Sequence, residues 1–217
     1  MRTHRIVLAC VALLALAPPE NGSAQEPQTS ADAAVVRLVL APEGNEARYR
    51  VREQLAGVAF PSDAVGVTTG LAGALVIGAD GRPVRALSAF TVDVTGLESD
   101  RDRRDRYVSR RTLVTDSFPA VTLVPTELRN LPQPLPTDGT FAFELVGDLT
   151  IKGMTRSTTW QVTATATSDG FTGTASTAFR FDDFGLTRPR VAVVLSVDET
   201  IRLEYDFRLL RVTPARE

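Results

Sequence analysis

Apolar and polar residues alternate along most of the chain after Val35, in short segments that are separated by turn residues. Successive side chains of a β-strand point to opposite faces, so this alternation predicts strands that are buried on one face. No long stretch has the spacing of an amphipathic helix. The sequence therefore predicts an all-β domain.

Aspartate-glycine pairs mark where several strands turn back, at residues 80–81, 138–139 and 169–170. They favour hairpins because a type I′ turn needs positive φ at both central residues. We also predict a first hairpin around residues 43–45 and a last pair of strands around a turn at residues 198–199. The segments amount to roughly eight to ten antiparallel strands, enough to close a barrel around one apolar ligand, with a β-sandwich as the alternative.

Three other stretches depart from the regular pattern. Residues 147–160 alternate on both sides of Gly153, which predicts one long strand bent at the glycine, since glycine inside a strand marks a bulge or a barrel corner. Residues 57–70 are rich in Gly and Ala without a clear period, which predicts a long loop over one barrel end. Residues 131–136 contain three prolines that cannot donate ladder hydrogen bonds, which predicts a surface loop.

Composition narrows the classes of function. A chain of 217 residues with 43% apolar content supports one domain with a sizeable core. A formal charge of -2 argues against a nucleic-acid partner, which needs a basic surface. The only Cys is Cys10 and the only His is His4, so both lie at the very start of the chain.

The first 24 residues predict a secretory signal peptide. Basic residues precede an apolar run over residues 6–17, and the small residues up to Ala24 predict cleavage after it. The apolar run is too short to span a bilayer as a helix. We expect a secreted protein with a disordered lead-in at residues 25–34 and one domain at residues 35–213. Lipidation of Cys10 is the alternative interpretation.

Removal of the signal peptide leaves no thiol and no imidazole, which excludes disulfides, Cys or His nucleophiles and zinc sites built on those ligands. The adjacent carboxylates Asp182 and Asp183, or Asp198 and Glu199, point to opposite faces of a strand. Neither pair therefore converges on one substrate atom. We predict a protein that is not an enzyme, with no catalytic residue and no metal site.

Residues 97–111 form an arginine-rich segment with six Arg and three Asp. The simplest interpretation is a solvated loop or short helix whose ion pairs each contribute little. The alternative is that Arg101, Arg104 and Arg106 lie at a barrel mouth and contact an anionic or quinone head group. Guanidinium groups suit that role because they bind phosphate and carbonyl oxygens.

Residues 147–156, GDLTIKGMTR, resemble the signature G-x-L-T-x-K-G-x-T-R of the YceI-like family. Further blocks are similar to family motifs in the right order: Arg104 and Asp105 followed by FPAVTL at 118–123, RFDDFGL at 180–186, and SVDETIRL at 196–203. The resemblance covers residues 48–211. It implies a lipocalin-like antiparallel β-barrel of about eight strands that holds a polyisoprenoid chain, in a bacterial and largely periplasmic family.

Composition alone does not decide between a filled core and a lined tunnel inside the barrel. The resemblance favours the lined tunnel. It implies non-catalytic binding, sequestration or transport of a long isoprenoid lipid or quinone in the periplasm, with no other cofactor. The expected partners are this apolar molecule, a membrane surface and a second copy of the chain. The alternative function is an envelope stress or interaction module with a packed barrel, which binds a protein through the arginine-rich segment. The predicted tunnel wall consists of Phe90, Val92, Leu123, Phe143, Trp160, Phe179, Phe181, Phe184 and Leu203.

Overall fold

The computed structural model describes residues 34–212. The predicted signal peptide, Cys10 and the lead-in up to residue 33 lie outside the described residues. Within them, the alternating pattern produces twelve strands. The strands are β1 (Ala34–Leu40), β2 (Glu46–Leu55), β3 (Ser62–Thr68), β4 (Leu71–Gly78), β5 (Ala89–Asp93), β6 (Glu98–Ser99), β7 (Ala120–Arg129), β8 (Thr140–Ile151), β9 (Met154–Ala166), β10 (Gly170–Arg180), β11 (Val194–Val197) and β12 (Thr200–Val212).

The helical segments of the described chain are short. Helix α1 (Asp102–Tyr107) continues into one π-helical segment (Val108–Leu113), and 3-10 turns span Arg85–Leu87 and Phe181–Phe184. The arginine-rich segment therefore contains the short helix that the sequence predicts.

Eight of the strands close into one antiparallel barrel. They follow each other in the order β1-β4-β5-β7-β8-β9-β10-β12, and β12 pairs back with β1, for example Leu209 with Leu40. Closure removes the exposed edges that an open sheet would leave. The predicted barrel is confirmed, and the alternative of a β-sandwich is wrong.

Strand β2 extends the sheet at one end of the barrel. The C-terminal half of β12 pairs with β1 and its N-terminal half pairs with β2, which continues into β3 and β6. The hairpin predicted around residues 43–45 is therefore wrong, because β1 and β2 follow one another along β12. Asn45 bridges the gap between them: its buried side chain donates to Ala41 O (2.7 Å) and accepts from the Arg208 N–H (2.9 Å).

The chain reverses at Lys152 and Gly153, where the sequence predicts only a bend. Both residues have positive φ, 50° and 75°, and Ile151 pairs with Met154 across the turn. Two positive φ values are typical of a two-residue type I′ hairpin. The long strand predicted over residues 147–160 is therefore two strands, β8 and β9.

The aspartate-glycine pairs lie between neighbouring strands, as predicted. Strands β9 and β10 meet at residues 169–170, with Phe171 paired to Ala166. Strands β4 and β5 pair across residues 80–81, and β7 and β8 pair across a loop that ends at residues 138–139.

The other loop predictions have mixed outcomes. Residues 131–136 contain no strand, as predicted, whereas residues 57–70 contain β3, so the long loop predicted there is wrong. The turn at residues 198–199 separates β11 from β12, but these strands both pair with β2 and not with each other.

Inward-facing side chains fill the barrel at the end where β8 begins and β12 ends, which we call the packed end. Phe141 packs edge-to-face on Phe171 with the ring centroids 5.8 Å apart and stacks on Phe143 at 6.1 Å. A gap of only about 30 Å³ remains among these side chains. The packed end is thus a core with no room for a ligand.

Candidate functional site

An apolar cavity of about 810 Å³ occupies the end of the barrel opposite to the packed end. Strand β12 shows how one strand serves both ends: Leu203 and Tyr205 line the cavity, whereas Phe207 and Leu209 belong to the packed end. Side chains two residues apart share a face, so the inward face of β12 lines the cavity in the N-terminal part of the strand and belongs to the core in its C-terminal part. Volumes of roughly 300–1,000 Å³ are typical of sites for small molecules.

Most of the predicted wall residues border this cavity. They are Phe90, Val92, Leu123, Trp160, Phe179, Phe181 and Leu203. Phe143 instead borders the small gap in the packed end. Phe184 is 1% exposed and packs against Phe179 with the ring centroids 4.6 Å apart, so it belongs to the core beside the wall. Phe143 and Phe184 therefore do not border this cavity, and contact of the other wall residues with a ligand stays a prediction.

Strand β2 and two loops contribute residues to the cavity wall that the sequence did not lead us to predict. The inward face of β2, with Tyr49, Val51 and Leu55, borders the cavity. Its alternation is visible in the sequence and is the signal that could have identified these residues. The loops at residues 56–58 and 189–193 also border the cavity, but they have no hydrophobic period that would predict it.

Three buried hydroxyl groups on the cavity wall have no hydrogen-bond partner among the described residues. They belong to Tyr49, Thr112 and Tyr205. Burial raises the pKa of Tyr49 to about 12 and also raises the pKa of Tyr205, so both phenols are protonated at neutral pH. A buried hydroxyl without a partner costs ~1–3 kcal/mol.

Packing fixes both tyrosine rings. The ring of Tyr49 lies across Gly66 of β3, where a Cβ atom would come within 2.2 Å of Tyr49 Cε1. Tyr205 lies between Phe90 and Phe207, with ring centroids 6.5 and 6.1 Å away. The directions of the two hydroxyls are therefore set by the fold before any ligand arrives.

A buried ion pair holds helix α1 against the sheet beside the cavity. Arg104 Nη2 lies 2.5 Å from Glu53 Oε1, and the two side chains are 14% and 9% exposed. Burial alone would lower the pKa of Arg104, but hydrogen bonds to Asp100 and Glu53 outweigh burial and raise that pKa. Removing one member of such a pair strands the other charge, which costs ~3–5 kcal/mol.

The three arginines predicted at the mouth have different positions. Arg101 and Arg104 border the cavity, whereas Arg106 is exposed and does not border it. The guanidinium of Arg104 is occupied by Glu53 and Asp100. Arg101 is 54% exposed and lies 3.5 Å from an Asp100 carboxylate oxygen, so it is the more accessible of the two.

The cavity offers apolar contact, hydroxyl groups, the ion pair of Glu53 and Arg104, and further charged side chains such as Arg101. No group of three or more His, Cys, Asp or Glu side chains within residues 34–212 is arranged to hold a metal ion. None of the helices in the described part of the chain is long and apolar enough to cross a membrane.

A closed eight-stranded antiparallel barrel with an apolar cavity at one end is the architecture of the lipocalin-like barrels, whose interior has room for one small ligand. The chain belongs to the YceI-like family, since the model of the YceI-like domain matches residues 39–209. The resemblance seen in the sequence is confirmed. No curated protein matches the sequence.

Several solved structures share the fold. A polyisoprenoid binding domain from Saccharophagus degradans has a TM-score of 0.57 and 11% identity, over 82% of this chain and 98% of that one. BcnA from Burkholderia cenocepacia has a TM-score of 0.56 and 14% identity, over 78% and 96%. The YceI protein of Campylobacter jejuni has a TM-score of 0.53 and 12% identity, over 74% and 91%. Such low identities show the fold alone.

Proposed function

We propose that this protein binds a long isoprenoid lipid or quinone in its cavity and sequesters or carries it without catalysing a reaction. The proposal rests above all on the cavity of about 810 Å³, which apolar side chains wall at one end of the closed barrel. The name of the Saccharophagus degradans protein, a polyisoprenoid binding domain, supports this class of ligand. A periplasmic location, reached through the predicted signal peptide, is part of the proposal.

Burial of the ligand's hydrocarbon chain supplies the driving force. Each methylene group removed from water contributes ~0.8 kcal/mol, so a five-carbon prenyl unit contributes roughly 4 kcal/mol before ordering costs. Ordering the chain and fixing the complex consume part of this gain. Tight binding therefore requires more than one prenyl unit inside the barrel, and the cavity volume limits how many units enter.

The unpartnered hydroxyls support a ligand that carries acceptor oxygens, as a quinone does. The protonated phenols of Tyr49 and Tyr205 are donors, and the carbonyl oxygens of a quinone accept hydrogen bonds. Thr112 adds a hydroxyl that can donate or accept. We assign the polar end of the ligand to these three residues, and we keep Arg101 as a contact for an anionic group at the mouth.

The alternative function, an interaction module with a packed barrel, loses its premise because only one end of the barrel is packed. Arginine side chains of the α1 region are exposed, as that alternative requires. A protein that acts through its surface alone, however, does not need a cavity of this size. We therefore propose ligand binding as the primary function.

Fluorescence of Trp160 provides a direct test. Trp160 is the only tryptophan and borders the cavity, so quenching by a quinone reports occupancy. We expect quinones with several prenyl units to quench the delipidated protein. The same head group without a tail should bind at least 100-fold more weakly, since each prenyl unit removed loses several kcal/mol. Unchanged fluorescence with every quinone would contradict a quinone as the ligand.

A further inference from the structure

Large apolar side chains are exposed mainly at one place on the surface. Among the residues that the structure describes, seven large apolar side chains are exposed, and five of them lie on the loop at 56–61 and the segment at 185–195. We call these five the rim patch: Val58, Phe60, Val191, Val193 and Leu195. Phe60 is 79% exposed and Leu195 is 66% exposed. Exposed apolar patches of this kind mark contacts with proteins or membranes.

The two parts of the rim patch are neighbours in the fold. The Ala56 N–H donates to Val193 O at 3.0 Å, and Val194 pairs with Leu55 at the end of β2. Leu195 stands at the irregularity between β11 and β2, where the register shifts. The hydrogen bond joins the loop between β2 and β3 to the segment before β11, so the two stretches that carry the rim patch are adjacent.

The rim patch is continuous with the opening of the cavity. Val58, Val191 and Val193 are exposed and also border the cavity. An apolar molecule that leaves the cavity here therefore meets the rim patch before it meets water. Whatever covers this patch also covers the opening.

The stretches that carry the rim patch contain basic but no acidic residues, although the whole chain has a net charge of -2, and the flanking acidic residues Glu53 and Asp63 are paired with arginines. Within residues 54–61 and 185–195 the only charged residues are Arg188 and Arg190. Arg188 lies 3.5 Å from a Glu199 carboxylate oxygen. Arg101 and Arg103 of the α1 region border the same cavity. Apolar side chains flanked by arginines suit a surface that is apolar inside and anionic at its face.

We propose that the rim patch docks on the surface of an anionic lipid bilayer, with Phe60, Val193 and Leu195 entering the interface and Arg190 at the level of the lipid head groups. Docking holds the cavity opening against the membrane, so a lipid passes between bilayer and barrel without crossing water. The route of the ligand rests on the proposed function, whereas binding of the protein to a bilayer does not.

Vesicle flotation tests the docking. The purified protein is mixed with vesicles of phosphatidylglycerol and phosphatidylcholine, or of phosphatidylcholine alone. We expect stronger binding to the anionic vesicles, weakened by added salt. Phe60→Ser and Leu195→Ser should each reduce the partition coefficient roughly tenfold or more, because burying one such side chain is worth that factor. Val212→Ser, an exposed valine at the far end of β12, is the matched control and should bind like the wild type.

Binding to neither vesicle, or equal binding by Phe60→Ser, Leu195→Ser and the wild type, would overturn the docking proposal. A dimer that these substitutions dissociate, without any vesicle binding, would assign the patch to a second copy of the chain and would also overturn it. Mass spectrometry of the bound lipid keeps the two proposals apart. Vesicle binding by a protein that never holds lipid would contradict the proposed function and leave the docking intact.

Discussion

The substitution Tyr205→Phe removes a buried hydroxyl that has no hydrogen-bond partner among the described residues. Such a hydroxyl lowers the free energy of unfolding by ~1–3 kcal/mol, because it forms hydrogen bonds with water in the unfolded chain and forms none in the folded barrel. The variant should therefore be more stable than the wild type by about 1 kcal/mol or more. For a chain of this length, each kcal/mol raises the melting temperature by roughly 2–4 °C.

The same substitution should weaken quinone binding. If a quinone carbonyl accepts from Tyr205, the variant loses that hydrogen bond, and affinity should fall by roughly tenfold. Affinity for the prenyl hydrocarbon without a head group should not fall. Stability and affinity thus change in opposite directions, which a purely structural role of Tyr205 would not produce.

Thermal unfolding of delipidated protein and Trp160 fluorescence titration measure the two effects. Tyr107→Phe is the matched control, because Tyr107 borders the same cavity but its hydroxyl is not one of the unpartnered buried groups. We expect it to leave both quantities unchanged. A Tyr205→Phe variant that melts at a lower temperature, with unaltered quinone affinity, would refute the reasoning.

Three further predictions concern other parts of the site. Phe179→Asp should lose bound lipid, because it places a carboxylate on the wall of the apolar cavity, whereas Phe143→Asp should keep it, because Phe143 borders only the gap of about 30 Å³ at the packed end. Circular dichroism shows which variants fold and lipid extraction measures retention; a folded Phe143→Asp that loses its lipid would argue against this assignment. Arg104→Leu should destabilise the protein by ~3–5 kcal/mol in urea unfolding, because the charge of Glu53 is then buried without a partner. The additional change Glu53→Leu should restore part of this loss. Failure of that rescue would show that the ion pair matters little. The folded pKa of Tyr49 is raised from 10.0 to about 12, so the unfolded chain loses its proton first as the pH rises. Stability should then fall between about pH 10 and 12 by at most ~1.4 kcal/mol per pH unit, and Tyr49→Phe should lack this part of the decline.

The sequence predicts the architecture well because alternation and turn residues are local signals. Asp169 and Gly170 lie between alternating segments, and the hairpin forms there. The turn at Lys152 and Gly153 has no such signal, since a positive φ is uncommon for lysine. A glycine inside an alternating run looks the same whether the strand bends or reverses, so one strand was predicted where two exist.

The cavity is harder to predict, because the period of a strand gives the face of a side chain and not its height along the barrel axis. Phe143 and Phe179 both point inward, yet one belongs to the packed end and the other to the cavity. That difference depends on strand register around the whole barrel, which one sequence does not reveal. The alternation of β2 indicates that Tyr49 faces inward, but the lack of a partner for its buried hydroxyl among residues 34–212 depends on the tertiary fold.

The most direct test of the central claim is mass spectrometry of an organic extract from the protein, purified from its own host without detergent and compared with a mock purification. The account predicts a prenyl lipid or quinone in stoichiometric amount, long enough to fill a cavity of about 810 Å³. An extract with no such molecule, repeated after incubation of the protein with host lipids, would contradict it.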